Sequence, residues 1–358
     1  MNLQQRIKAF DRLGQLLRAF TAEYHRQGTH RDSRLSWLHE KVRQANEQNP
    51  WFTEHHILTA LRSIGAQLSQ NQLERWTQGY AQLKQPNYPS QVIGVVAAGN
   101  IPLVGFHDFL SVLMAGHTYQ GKLSSRDKIL PEALARLLGD IEPGFNKHID
   151  LREDQLHDFD AIIATGSNNT SRYFHYYFGK YPHIIRHNRN GAAVLTGGES
   201  NEQLKKLADD ILLFFGLGCR NISKLYVPES FEMERIMNNL EHYRHITDNS
   251  KYANNYDYQK SVFLINQMPH YDTGFLLLKE DQRLASPLAT LHFERYRRLA
   301  QVKQSLAGQQ DQIQCIVSVS DEFPRAVAPG QAQYPKLWEY ADGIDTLAFL
   351  TGLKTPRS

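Results

Sequence analysis

Apolar residues recur every three or four positions through the first part of the chain. Ile7, Phe10, Leu13, Leu17 and Phe20 make one helical face, and Leu58, Leu61, Ile64 and Leu68 make another. Polar breaks at 29–33, 46–50 and 85–90 separate these helices, and Gln85-Pro-Asn-Tyr-Pro-Ser90 is the clearest linker. The pattern then changes. Gln91–Ala98 is a short β-branched run, followed by Gly99-Asn100-Ile101-Pro102 and a helix-like segment to Met114. Thr118–Leu123, Ala161–Ala164, Ile184-Ile185 and Ala192–Leu195 read as further strands, with helices predicted over Pro131–Leu138 and from Asn169. Strands alternating with helices predict βαβ units in a mainly parallel sheet. Glu202–Phe215 predicts an amphipathic helix that leads into Cys219 and the strand Lys224–Val227. Beyond it come a helix at Glu232–His242, a Tyr/Asn-rich loop at 252–258, and strands near Val262–Ile265, Ala289–His292 and Gln314–Val319.

With 358 residues and 41% hydrophobic content, the chain can form two domains with substantial cores. The net charge of +3 and the lack of a basic block argue against nucleic acid as a partner. The start of the chain lacks a secretory signal pattern, and no stretch approaches the roughly 18–20 apolar residues of a membrane helix. A cytoplasmic location is expected. The two cysteines, Cys219 and Cys315, give neither a disulfide framework nor a Cys-x-x-Cys site. Sixteen histidines include the adjacent pair His55-His56, but their spacing fits no metal motif, so no metal is expected.

In an α/β sheet, ligands bind beyond the carboxyl ends of the strands. Gly99-Asn100, Ser124-Ser125 and Gly166-Ser167 each fall at such an end. An asparagine amide suits a developing oxyanion, a strand-end lysine such as Lys122 suits a ribose or phosphate, and Gly-Ser at a helix start suits a pyrophosphate. Cys219, in the run Phe-Gly-Leu-Gly-Cys-Arg-Asn at 215–221, is a thiol on a glycine-flanked turn that a carbonyl carbon can approach. Taken singly, a buried thiol, a turn asparagine, a solvated lysine and a helix cap are the commoner uses of these residues.

Taken in order, Val92–Gly105, Gly121–Asp127, Ala164–Ser167, Leu195–Gly198 and Gly216–Val227 resemble the aldehyde dehydrogenase superfamily, and more closely its acyl-CoA reductase branch, which includes the long-chain acyl reductase of bacterial luminescence. The likeness runs from about Val92 to the C-terminus, and the first ninety residues add little to it. It implies a Rossmann-like cofactor domain plus an α/β catalytic domain, behind an N-terminal helical segment. The expected division is 1–195 for the helices and cofactor domain and 196–330 for the cysteine domain. Residues 331–358 are then a segment returning to the cofactor domain or making an oligomer contact.

The resemblance makes Cys219 the nucleophile and Asn100 the oxyanion donor. It puts Lys122, Ser124, Ser125 and Arg126 on the adenosine ribose side, and Gly166 and Ser167 by the pyrophosphate. The implied reaction reduces a fatty acyl-CoA or acyl-carrier thioester to the aldehyde through an acyl-cysteine, in a homo-oligomer. The alternatives are a cofactor-free acyltransferase or thioesterase, an oxidative aldehyde dehydrogenase, and a partner subunit with a vestigial site.

Three departures from the superfamily pattern matter. Leu195 stands where oxidative members have a glutamate before Gly-Gly, which removes the base for hydrolysis. Ser125 and Arg126 replace a ribose-binding glutamate, which favours NADPH over NADH. Leu284-Ala-Ser-Pro287 meets the segment that carries a later ribose-binding glutamate, and no substitute is evident. Arg220 and the helix before Cys219 are the candidates for activating the thiol.

Overall fold

The computed structural model describes residues 1–25, 32–85 and 89–354. Residues 86–88 of the expected linker and 29–31 of the first polar break lie outside the described residues. The chain forms two compact units, one of 1–187 with 336–358 and the other of 188–335.

The first unit opens with four helices, α1 (Leu3–Glu23), α2 (Ser33–Gln48), α3 (Glu54–Gln67) and α4 (Gln70–Thr77). Asn2 starts α1 with a reciprocal capping box to Gln5, and Asp32 and Thr53 cap the next two. Next come β1 (Val92–Val96), α5 (Phe106–Ala115), β2 (Thr118–Lys122), α6 (Ile129–Ile141), β3 (Ile149–Arg152), β4 (Ala161–Thr165), α7 (Asn168–Phe178) and β5 (His183–Arg186). The five strands form a parallel sheet in the order β3-β2-β1-β4-β5. The predicted amphipathic face of α1 is its core face: Phe10 is fully buried and meets Phe109 and Phe145 edge-on, at 6.5 and 5.5 Å between ring centres.

The second unit holds β6 (Asn190–Val194), α8 (Asn201–Leu212), β7 (Ile222–Pro228), α9 (Met233–Leu240), α10 (Ser250–Ile265), β8 (Tyr271–Asp272), β9 (Leu277–Glu280), β10 (Thr290–Tyr296), α11 (Leu299–Ala307) and β11 (Ile313–Ser318). Its six-stranded sheet runs β11-β6-β7-β10-β9-β8 and is parallel except where β8 meets β9. The compact units therefore divide at 187/188, ahead of β6, where the sequence placed a boundary at 195.

The chain then returns. Residues from 336 onward, including α12 (Thr346–Thr351), belong to the first unit. Tyr340 accepts from the Trp76 indole at 2.7 Å, and Thr346 lies 3.0 Å from Arg186, itself paired at 2.6 and 2.9 Å with the buried carboxylate of Asp108.

One expected strand is a helix. Val262–Ile265 is the last turn of α10, and the Tyr/Asn-rich 252–258 is its first half. Asn249 caps this helix by accepting from the N–H groups of Lys251 and Tyr252. Tyr252, Tyr256 and Phe263, spaced four and seven apart, are its buried side. The apolar tail misleads because Leu264 and Ile265 stay 59% and 80% exposed instead of pairing in a sheet.

Candidate active site

In the first unit, the carboxyl ends of β2, β1 and β4 lie abreast, because Val96 registers with both Lys122 and Ala164. This brings three of the predicted segments to one sheet edge: Gly99-Asn100 after β1, Lys122–Asp127 after β2, and Gly166-Ser167 after β4. Gly99 packs so closely on the Ser124–Arg126 turn that a Cβ there would overlap Ser124. That turn closes through Asp127 N–H to the Ser124 carbonyl at 3.0 Å, and Arg126 N–H donates to Ser124 Oγ at 3.3 Å. From α2, Gln48 and Asn49 donate to the carbonyls of Ser125 and Arg126, at 3.5 and 3.1 Å. Lys122 is half-buried, whereas Ser125 and Arg126 are exposed. Neither cation is ion-paired among the described residues.

Gly166 is crowded by Thr170 and Phe174 from the first turns of α7. Ser167 caps that helix: its Oγ accepts from Thr170 N–H at 3.2 Å. The remaining N–H groups of the first turn and the positive end of the helix favour an anion here.

Asp127, unassigned in the sequence reading, organises this edge. Its Oδ2 accepts from the N–H of Leu103 at 2.6 Å, and Leu103 has the strained φ of +58°. The carboxylate thus holds the end of the loop that presents Asn100. It is 5% exposed, and burial pushes its carboxyl up to about 7. Its Oδ1 has no hydrogen-bond partner among the described residues, and the group lines a mainly apolar pocket with Leu103, Phe106 and Leu134.

In the second unit, Cys219 is exposed and Cys315 is half-buried, and neither forms a disulfide. Cys219 lies on a turn closed by Asn221 N–H donating to the Gly218 carbonyl at 3.0 Å. The Asn221 side chain builds that turn from inside. Its Oδ1 accepts from Gly218 N–H at 2.8 Å, and its Nδ2 donates to the carbonyls of Asp210, Ile211 and Leu213 at 3.1, 3.3 and 2.9 Å. Phe214 and Phe215 both have left-handed backbones, with φ of 56° and 58°, and their side chains are buried. Their burial holds a conformation that β-carbon sterics disfavour.

The two candidate activators of the thiol are the helix before it and the residue after it. The helix α8 ends at Leu212, so it offers this segment its negative, C-terminal end. The Arg220 guanidinium donates to the Ala332 carbonyl. Fully buried Asp210 accepts from Gly330 and Ala332 N–H at 2.6 and 2.8 Å, which fastens that segment beside Arg220.

Leu195 is buried at the end of β6, where its carbonyl accepts from the Tyr296 hydroxyl at 2.6 Å. The carboxylate beside Gly197-Gly198 is Glu199, which is 2% exposed and accepts from Thr196 N–H at 2.6 Å and Gly197 N–H at 3.0 Å. It is consumed in closing its own turn. The segment Leu284–Pro287 has a structural use in part, since the Leu284 carbonyl accepts from Ser223 Oγ at 2.8 Å. No cluster of His, Cys, Asp and Glu capable of holding a metal occurs among the described residues, and no described helix is long and apolar enough to cross a membrane.

Two units, each built on a mainly parallel sheet, have the fold of the aldehyde dehydrogenases. The solved structures similar to this chain agree. The indole-3-acetaldehyde dehydrogenase AldA of P. syringae, in complex with NAD+ and IAA, aligns with a TM-score of 0.64 at 12% identity, over 91% of this chain and 74% of that one. The aldehyde dehydrogenase KauB from Pseudomonas aeruginosa gives 0.64 at 12% identity, over 91% and 75%. Bifunctional proline utilization A (PutA) gives 0.63 at 13%, and the chain covers 88% of its own length but spans only 36% of that protein. The chain belongs to the acyl-CoA reductase (LuxC) family, which it matches over residues 1–246. Family and fold together make it an enzyme of the acylating aldehyde dehydrogenase type. The family match takes in the N-terminal helices, which the sequence comparison had set aside. A comparison with curated proteins gives no match.

Proposed function

We propose that this chain reduces a fatty or other hydrophobic acyl thioester to the aldehyde, with NADPH, through an acyl group carried on Cys219. The observation that supports this most directly is the exposed thiol of Cys219 on a turn whose backbone is fixed from within by Asn221. A thiol held in the open by a rigid turn is available to a carbonyl carbon with little cost of ordering.

In the first step the Cys219 thiolate bonds to the thioester carbonyl carbon and the carrier thiolate leaves. The Asn100 amide is the donor for the oxyanion that forms on the way. The nicotinamide cofactor, when bound, supplies a hydride to the acyl carbon. Collapse then breaks the carbon–sulfur bond and returns the thiolate. Hydrolysis is disfavoured because the nearest carboxylate to the Gly-Gly turn, Glu199, is buried and engaged.

The residues of the first sheet edge fit a dinucleotide. Lys122 and Arg126 are cations without acid partners among the described residues, and the α7 start favours a phosphate. The carboxylate of the turn, Asp127, faces inward to Leu103 and is not offered to a ribose hydroxyl. With Arg126 exposed in its place, a 2′-phosphate is the better match.

Mixing the protein with a long-chain acyl-CoA and NADPH should consume the nicotinamide absorbance. In Cys219→Ala that consumption should fall about a thousandfold or more. Undiminished activity in the variant refutes the assignment, and acylation of Cys219 without NADPH consumption points to an acyltransferase instead.

A further inference from the structure

At the opposite edge of the first sheet, where β1 and β2 begin, lies a pocket of about 600 Å³. It is lined by the start of α1, by Lys84 and Ser90 around the entry to β1, by Gly116 and His117 before β2, and by His148. Its volume is that of an ordinary small-ligand site. Arg6, in the first turns of α1, is 8% exposed and lines it.

Arg6 is buried without an acid partner among the described residues. Its Nη1 donates to the Met1 carbonyl at 3.1 Å, and its buried Nε has no partner. Among the described residues, the pocket lining contains no Asp or Glu. Arg6 also lies against Gly116, at the C-terminal end of α5. A helix end supplies only about half an elementary charge, and the start of α1 contributes about the same of opposite sign. The guanidinium therefore remains a nearly uncompensated positive charge in a low-dielectric setting, which is costly unless an anion shares the site.

Of these neighbours, Lys84 adds positive charge and the two histidines do not. Lys84 stands exposed at the rim. His148 has its Nδ1 3.1 Å from Thr118 Oγ1, and burial, then Lys147, the N-terminal ammonium and Arg6, oppose its protonation. His117 contributes no charge: its Nδ1 accepts from Gln91 N–H at 3.2 Å, and its Nε2 meets the Leu350 carbonyl at 3.1 Å. That pattern fixes the neutral ring with the proton on Nε2.

We propose that this pocket binds a phosphate-type oxyanion, with Arg6 as its central ligand and Lys84 at its mouth. The fixed fork of a guanidinium suits a tetrahedral oxyanion, and the space around it admits more than a bare ion. The site is separate from the strand-end glycines and Lys122, which occupy the other edge of the same sheet.

Calorimetric titration of the full chain with inorganic phosphate and with pyrophosphate, at constant ionic strength against chloride, tests this. Saturable binding of one equivalent at this site is expected. Arg6→Gln should weaken it about tenfold or more, and the exposed Lys84→Ala severalfold with folding intact. The double variant Lys122→Ala with Arg126→Ala should retain it. Pyrophosphate binding tighter than phosphate identifies a diphosphate-bearing ligand, and equal binding identifies free phosphate or a monoester. If binding survives in Lys84→Ala and Arg6→Gln alike, vanishes in the Lys122/Arg126 double variant, or matches chloride, the proposal fails. None of these readouts depends on reductase activity, so failure here leaves the role of Cys219 untouched.

Discussion

The turn that carries Cys219 and the loop that carries Asn100 are both short, glycine-bearing connections at a strand end, yet they are fastened by different chemistry. Asn221 holds the first with an amide, neutral at every pH, through one accepted and three donated hydrogen bonds. Asp127 holds the second with a carboxyl group, through one bond to a strained residue and with one oxygen unmatched. An amide turn is rigid and indifferent to protons. A buried acid at a loop makes that loop sensitive to them.

The largest effect is expected at the chemistry itself. Asn100→Ala should lower kcat of thioester reduction by about 10²–10³, as loss of an oxyanion donor does elsewhere, with little change in KM. A drop confined to KM would remove Asn100 from the transition state. Asn221→Ala comes next: it strands Gly218 N–H and three carbonyls, so denaturant melts should show a loss of roughly 2–4 kcal/mol. The Cys219 alkylation rate should change with it. An unaltered melt would mean that the turn is held by something other than this amide.

Ser125→Glu combined with Arg126→Ala restores a carboxylate and removes a cation at the second strand end. The ratio of kcat/KM with NADPH to that with NADH should fall about tenfold, equivalent to about 1.4 kcal/mol. An unchanged ratio takes Arg126 out of the cofactor site.

A further effect, of similar size, separates the two fastenings. Asp127 has its carboxyl raised by burial from 3.8 to about 7. Between those values the folded chain keeps a proton that the unfolded chain has lost, so stability should rise as pH falls from 8 towards 5. Asp127→Asn cannot ionise, yet its side-chain oxygen can still accept from Leu103. It should flatten this slope and gain roughly 1–3 kcal/mol at pH 8, read from denaturant midpoints at each pH. A residual slope of the same sign is expected from Asp210, also raised to about 7 by burial. Asn221→Ala should shift the whole curve without changing its shape, and a changed shape would erase the contrast.

The alternation of strands and helices was legible where a strand is a short apolar run bounded by turn residues, as at Val92–Val96 and Ala161–Thr165, whereas β3, Ile149-Asp-Leu-Arg152, interleaves charged residues and was not expected. The α10 segment was not, because Leu264 and Ile265 are apolar but exposed, and sequence alone cannot say what covers them. In the site, glycines and the thiol announced themselves by residue type. Asn221 and Asp127 did not, although both stand inside the stretches that carried the family likeness. Their work is done by hydrogen bonds to backbone groups that only the folded chain brings near. The same limit hid Glu199, whose closure of its own turn has no trace in the residue order.

The return of residues 336–358 to the first unit carries a consequence for biosynthesis. The first unit cannot be finished until residues 336–354 have been made, whereas residues 188–335 are all present before that moment. The second unit can therefore complete its folding earlier than the first on an elongating chain. Until α12 arrives, the surfaces that bury Leu347 and Leu350 stay open, and Arg186 lacks its contact with Thr346. Nascent chains arrested just short of this helix should consequently recruit chaperones through the first unit, despite its having left the ribosome first.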